Sequence, residues 1–192
     1  DNSPRGFSCE KEGPLDLRMD ALKGEPASER LKGLTREELT GMLIENSDEP
    51  YAEEIARAVM GEIKRGREVA TTTRLYEMVD RALAFIPEEE RKEAVKKSCQ
   101  RTFQALRIDV NSEVEVLYEF LDKLPGVLKP GGRAAILTFH SGEDRIVKKS
   151  FKEMYRAGLY SQVATDVIRP TAEERRMNSR AHSTKMRWAV KA

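Results

Sequence analysis

The stretch Leu128–Lys149, LKPGGRAAILTFHSGEDRIVKK, passes from turn to strand to polar loop to helix. Pro130-Gly131-Gly132 marks the turn, since glycine takes positive φ without the steric cost other residues meet. Ala134–Phe139 (AAILTF) is a short, nearly continuous apolar run. Such a run predicts a strand covered on both faces, as in a parallel sheet. It stops at His140-Ser141, and Ser141 with Asp144 three residues on predicts a helix start. Ile146, Val147 and Phe151 give that helix an apolar stripe beside Lys148, Lys149 and Lys152. Polar residues just beyond the carboxyl end of a buried strand stand where open α/β sheets bind ligands. The expected class is an α/β enzyme.

With 192 residues the sequence is long enough for a sizeable core, and 35% charged residues predict salt-laced, helix-rich surfaces. No run approaches the ~20 apolar residues of a membrane span, and no apolar signal segment opens the sequence. Cys9 and Cys99 match no zinc or redox spacing, so two idle thiols in a reducing compartment are expected. Net charge is +1 but unevenly spread. Residues 129–192 hold 14 Lys/Arg against 6 Asp/Glu, and the acidic excess lies before them. A basic end fits a polyanionic partner such as RNA, or equally a solvated basic surface.

From the start, Gly13–Asp20 (GPLDLRMD) alternates polar and apolar residues. Asp16, Arg18 and Asp20 would point one way in an extended chain, either as charge at a pocket or as a salt-bridged loop. Residues 21–33 read as a linker. Thr35 and Glu38 form a capping box before Leu39, Met42 and Leu43. A second helix is predicted from Tyr51 to Gly66, and a third after Thr71-Thr72-Thr73, with Pro87 either ending it or starting a short acidic turn. Residues 35–95 thus form a strandless helical block. Residues 100–124 predict one long helix, with Arg101, Gln104, Arg107 and Asn111 on a shared polar face. That face is either solvated or able to read phosphates. Residues 162–168 and 184–190 alternate as two late strands, an antiparallel pair closing the sheet edge.

Five motifs then stand in order: RGFS…GPLDLRMD, RTFQALRI with Asn111, KPGGR, FHSGEDRIVK and N-SRAHSTKMR. Together they resemble the RsmH (MraW) family, S-adenosylmethionine-dependent methyltransferases acting on N4 of a cytidine in small-subunit ribosomal RNA. The resemblance implies the C-terminal part of a Rossmann-like class I methyltransferase with an inserted all-helical subdomain. Its expected divisions are a linker and motif segment at 1–33, the inserted subdomain at 34–97, and methyltransferase domain at 98–192. The family's glycine-rich cofactor loop, its ribose-binding acid and its Asp-Leu-Gly loop precede RGFS. No cofactor-binding residue is therefore expected here; the S-adenosylmethionine site is expected upstream of Asp1. Gly142 stands where the family commonly has leucine, and the Gly158–Ser161 connection is short.

The implied chemistry is in-line attack of the cytosine amine on the sulfonium methyl, with rate coming mainly from positioning. His140, Ser141, Glu143 and Asp144 are the catalytic candidates, with a structural, hydrogen-bonded His140 and helix-capping carboxylates as the alternative. Asp16, Arg18, Asp20, Gln104 and Asn111 are the substrate-pocket candidates. Arg101, Arg107, Arg145, Arg180 and Lys185 are the candidates for RNA phosphates. No metal is expected. The implied partner is small-subunit ribosomal RNA or the assembled subunit, in bacterial cytoplasm or an organelle, with a homodimer allowed. A module that binds RNA or docks on the ribosome without catalysis is the rival reading.

Overall fold

Thr35 and Glu38 start a helix as their spacing predicts: Thr35 Oγ1 accepts from Glu38 N at 3.2 Å, and Glu38 Oε2 accepts from Thr35 N at 2.7 Å. These and the following details come from a computed structural model that describes Gly6, Phe7, Cys9 and residues 11–192. Arg5 and Ser8 of the RGFS motif lie outside the described residues. Two compact units are present, Asp1–Glu113 and Val114–Ala192. That division differs from the boundaries expected at 33/34 and 97/98, because one helix runs through the second of them.

The first unit is helical. It holds α1 (Ala27–Lys32), α2 (Arg36–Ser47), α3 (Ala52–Lys64), α4 (Thr72–Ala82) and α5 (Glu88–Val110). α3 begins just after Tyr51, and the Thr71 side chain caps α4 by accepting from Arg74 N, as the sequence predicts. The expected linker at 21–33 instead contains α1, whose Ala27 and Leu31 enter the core. Of the two readings of Pro87 the structure takes the second and extends it: α4 ends at Ala82, and Pro87 is the N-cap of the 23-residue α5, with Glu88, Glu89 and Glu90 in the dipole-favoured first turn. The core joins Leu39 and Leu43 of α2, Ile55 and Val59 of α3, Leu75, Met78 and Val79 of α4, and Phe103 and Leu106 of α5. Leu15 and Leu17 belong to it too. The buried Thr72 ties their segment down, accepting from Gly13 N at 3.1 Å and donating to Lys11 O at 2.7 Å.

The junction of α3 and α4 is organised by one buried carboxylate. Gly66, at φ 72°, ends α3 in a Schellman turn: Gly66 N donates to Ile63 O and Arg67 N to Glu62 O. This brings Arg67 back onto Glu62, whose side chain is 1% exposed. Arg67 grips it with two bonds of 2.7 and 2.8 Å; Arg74 donates at 2.6 Å, and Arg65 and Arg81 each at 3.2 Å. The hydrogen bonds from Arg67, then the surrounding positive charges, outweigh burial and lower the Glu62 pKa to about 2.

The second unit is α/β. It contains α6 (Glu113–Val127) from Val114 on, β1 (Arg133–Thr138), α7 (Ser141–Arg156), β2 (Tyr160–Val163), α8 (Ala172–Met177), a 3-10 turn (Ser179–Ser183) and β3 (Lys185–Lys191). The helix expected over 100–124 is broken at Asn111-Ser112, where Ser112 takes φ 49°. The sheet order is β1-β3-β2, and both pairings are antiparallel. The late strands do pair antiparallel, β2 with β3, but β3 is central rather than at the edge, and the predicted strand at 162–168 is reduced to β2 and a bridge from Ile168 to Met186.

One sheet face is packed. Leu121 and Leu124 of α6, Val147 and Phe151 of α7, Tyr160 and Ala189 form its core, with Ala134 and Ile136 against it. Phe151 and Tyr160 meet edge to face at 5.5 Å. The other face is not covered within this unit: Leu137 and Phe139 are each 57% exposed. The expectation of a strand buried on both faces in a parallel sheet is thus corrected for the described residues, since α6 and α7 cover one face only.

Glu62 gives a pH test. A carboxylate whose folded pKa is depressed contributes stability above its unfolded pKa and loses it as pH falls through the folded one. Glu62→Gln should therefore be less stable than the parent near neutrality, with the gap narrowing from about pH 4.5 towards pH 2. Chemical denaturation across that range checks it; a constant gap would remove the charge-based account.

Candidate functional site

In the first unit, α5 presents Gln100, Phe103, Gln104 and Arg107 at helical spacing to a cavity of about 440 Å³. Phe7, Cys9 and Leu17 complete its lining. Gly6 seats Phe7: it takes φ +76°, and a Cβ there would meet Pro14 O at 2.5 Å, so only glycine fits. Leu17 is held in the left-handed region at φ 63°, a conformation that costs a leucine energy and needs support. Asn111 supplies it. Its Nδ2 donates to Leu17 O at 2.8 Å and its Oδ1 accepts from Met19 N at 2.7 Å. Gln104 lines the cavity and bridges to Asn46 O at 3.2 Å, while Arg107 forks onto Glu113 at 2.8 and 3.0 Å. Two aromatic rings beside amide and guanidinium edges suit a planar ligand with a polar rim.

Of the residues expected at a pocket, Gln104 lines this cavity and Asn111 shapes its wall. Asp16 and Arg18 are paired with each other at 2.6 and 2.9 Å, and Arg18 also donates to Gly24 O at 3.1 Å. The salt-bridged loop is therefore what their alternation encodes. Asp20 is exposed and accepts from Leu22 N at 3.0 Å in a local turn. Arg101 is half-buried, without a hydrogen-bond partner among the described residues. Sequence reasoning missed Gln100, Phe103, Phe7 and Cys9 as lining residues. The signal for Gln100 was its spacing of four from Gln104. Cys99 is fully buried, and burial pushes its thiol up to about 12, which leaves it inert.

In the second unit, the carboxyl end of β1 runs straight into α7. The cap falls on His140, one residue before the expected Ser141: His140 Nδ1 accepts from Glu143 N at 3.4 Å, and Glu143 Oε2 accepts from Phe139 N at 2.9 Å. His140 Nε2 is buried 3.4 Å from Glu143 Oε1, close enough for an ion pair when the ring is protonated but without hydrogen-bond geometry. Burial alone would raise the Glu143 carboxyl; the His140 ring and the Phe139 amide outweigh it and hold its pKa low. Asp144 forks onto Arg187 of β3 at 2.7 and 3.1 Å, with Lys185 at 3.9 Å. Burial again pulls the Asp144 pKa upward, but the Arg187 hydrogen bonds and charge, with Lys185 and Lys148, prevail and lower it. Ser141 and Arg145 are exposed on the first turn of α7, and Arg180 is exposed in the 3-10 turn. A Cβ at Gly142 would stand 3.1 Å from His140 Nδ1, so glycine leaves the ring its place.

Among the described residues, no strand is followed by a glycine-rich turn into a helix. Gly131 and Gly132 precede β1, and at the β1–α7 junction the His140 ring lies against Gly142. A nucleoside cofactor in an open α/β sheet is held at a glycine-rich turn between a strand and a helix N-terminus, and β1 and α7 are joined instead through Phe139 and His140. Among the described residues, no group of three or more His, Cys, Asp or Glu is placed to hold a metal, and no helix is long and apolar enough to cross a membrane.

Two substitutions test these supports. Asp144→Asn leaves Arg187, a residue 6% exposed, without its counter-charge, and should cost about 3 kcal/mol in denaturant unfolding. Replacing both partners with apolar residues of similar volume should recover much of that loss. Asn111→Ala should cost about 2 kcal/mol and speed amide exchange at Met19, because a carbonyl and an amide lose their partner together.

Comparison with known proteins places the chain. A protein of Lachnoclostridium phytofermentans named ribosomal RNA small subunit methyltransferase H 1 is 65% identical over 192 residues, all of this chain and 52% of that protein. A namesake from Agathobacter rectalis is 62% identical, over all of this chain and 55% of its own length. Ribosomal RNA small subunit methyltransferase H 2 of Alkaliphilus metalliredigens is 57% identical over the same share. The chain spans about half the length of the curated relatives it matches. Residues 1–192 match the MraW methylase family throughout, and the chain belongs to that methyltransferase family.

Proposed function

We propose that this chain forms part of an enzyme that transfers a methyl group from S-adenosylmethionine to N4 of a cytidine in small-subunit ribosomal RNA. The observation that carries this reading is the match of residues 1–192 to the MraW methylases, with relatives of 65% and 62% identity named as small-subunit rRNA methyltransferases. The chain supplies substrate-side surfaces. The cavity walled by Phe7, Phe103 and Gln104 is the candidate for an unstacked base, since single-stranded RNA is read by stacking and by hydrogen bonds to base edges. His140, Ser141 and Glu143 are the candidates for orienting the target amine, with Asp144 fixing their helix through Arg187. Glu143, held ionised, can accept a proton or orient an N–H, while His140 sets its position. Arg101, Arg107, Arg145, Arg180 and Lys185 are proposed for phosphate contacts, Arg107 after release from Glu113. In this reading the methyl donor is held by the part of the family fold that this chain does not span, and the chain alone is inactive. The setting is bacterial cytoplasm.

Two measurements test it. Calorimetric titration of the folded chain with S-adenosylmethionine should show no binding; micromolar binding would place the donor on the residues described here. Grafting residues 1–192 into the matching segment of the Lachnoclostridium relative should yield N4-methylcytidine in small-subunit rRNA, detected by mass spectrometry of digested RNA. A folded graft that binds RNA but leaves no mark would support the non-catalytic docking reading instead.

A further inference from the structure

Four guanidiniums converge on Glu62, which is more than a single carboxylate requires. Arg67 alone supplies a forked pair, and Arg74 adds a bond of 2.6 Å. Arg65 and Arg81 each contribute one long contact of 3.2 Å, and their side chains are 64% and 58% exposed. Among the described residues, the other carboxylate bonded to the group is Glu77, which takes one N–H of Arg74. Neighbouring Glu68 is engaged by Lys32 at 2.9 Å. Four positive charges therefore meet two negative ones, and most of the roughly twenty guanidinium N–H groups have no carboxylate to bond.

The placement is built in. Gly66 turns Arg67 inward, while Arg74 and Arg81, seven residues apart, share one face of α4. Glu62 pins the inner edge of the cluster and leaves the outer N–H groups of Arg65, Arg67 and Arg81 in solvent. Pre-positioned guanidinium forks match the oxygens of a phosphodiester and keep their charge at every physiological pH.

We infer that the arginine cluster around Glu62, at the α3–α4 junction, is a phosphate-binding site for the RNA backbone. It rests on the RNA-substrate reading above and extends it to a surface of the helical unit that the motifs do not mark. Glu62 is the positioning residue, and Arg65 and Arg81 are the phosphate contacts that can be removed while Arg67 and Arg74 still neutralise it.

The test is fluorescence anisotropy of a labelled single-stranded RNA with the whole chain, across a salt series. Arg65→Gln with Arg81→Gln should lower the slope of log affinity against log salt by about 1.4, the loss of two phosphate contacts on a single strand. Arg65→Lys with Arg81→Lys should restore most of the slope. Lys92→Ala with Lys96→Ala, two exposed cations on α5, should change it less, which separates a site from diffuse charge. Thermal unfolding of each variant reports folding, and the lysine pair reads the site even if the glutamine pair unfolds. A parent that binds RNA with a slope the glutamine pair leaves unchanged overturns the cluster and spares the RNA reading. A folded parent without salt-dependent RNA binding overturns both.

Discussion

A neutral amide holds the first unit's cavity open. Asn111 satisfies a carbonyl and an amide of the Leu17–Met19 segment, across 94 and 92 positions of sequence. Without it, Leu17 would have little reason to stay in a left-handed conformation that a branched apolar side chain disfavours. The same amide also accounts for the end of α5: its Nδ2 donates back to Arg107 O at 2.8 Å, and Ser112 follows at positive φ. One side chain thereby ends a helix, fixes a loop and shapes a wall. An amide does this at any pH, where an ionised group would tie the wall to its titration.

Charge works differently in the two units. In the second, Asp144 and Arg187 are both largely buried and joined by a fork, with Lys185 at 3.9 Å as a weaker neighbour, a pairing that locates the start of α7 on β3. Breaking such a pair costs far more than the pair contributes, so its value lies in fixing geometry. In the first, Glu62 is matched four to one and the surplus faces outward. The matched pair is a fastener; the unmatched cluster has capacity left for a ligand.

Local signals were legible and long-range ones were not. Thr35 with Glu38, and Thr71, announced their helices because a cap is satisfied within four residues. Pro87 was ambiguous, since proline both follows helices and begins them, and the 23 residues of α5 resolve it. The break at Asn111 was invisible because the apolar stripe continues through Val110 and Val114 while the partner of the break lies near residue 17. His140 capped α7 in place of Ser141 because an imidazole nitrogen can accept the same amide as a hydroxyl. The apolar run at 134–139 correctly signalled a strand, but hydrophobicity says what a face needs and not what covers it. Of the site, the polar residues of α5 could be read from spacing, whereas the rings that join them come from segments near residue 7 and from the core face of the same helix. Glu62 gave no signal, because an acidic residue amid basic ones reads as a solvated helix end.

β1 is bonded to β3 on one side and to no strand on the other among the described residues. Of its six residues only Arg133 is charged, so little electrostatic protection guards the unpaired N–H and C=O groups. Such an edge is a template. A strand added there would be held by main-chain hydrogen bonds whatever its side chains, so β1 is the place where this sheet can be extended, and the exposed Leu137 and Phe139 at its carboxyl end are the apolar surface that such an extension would help to enclose.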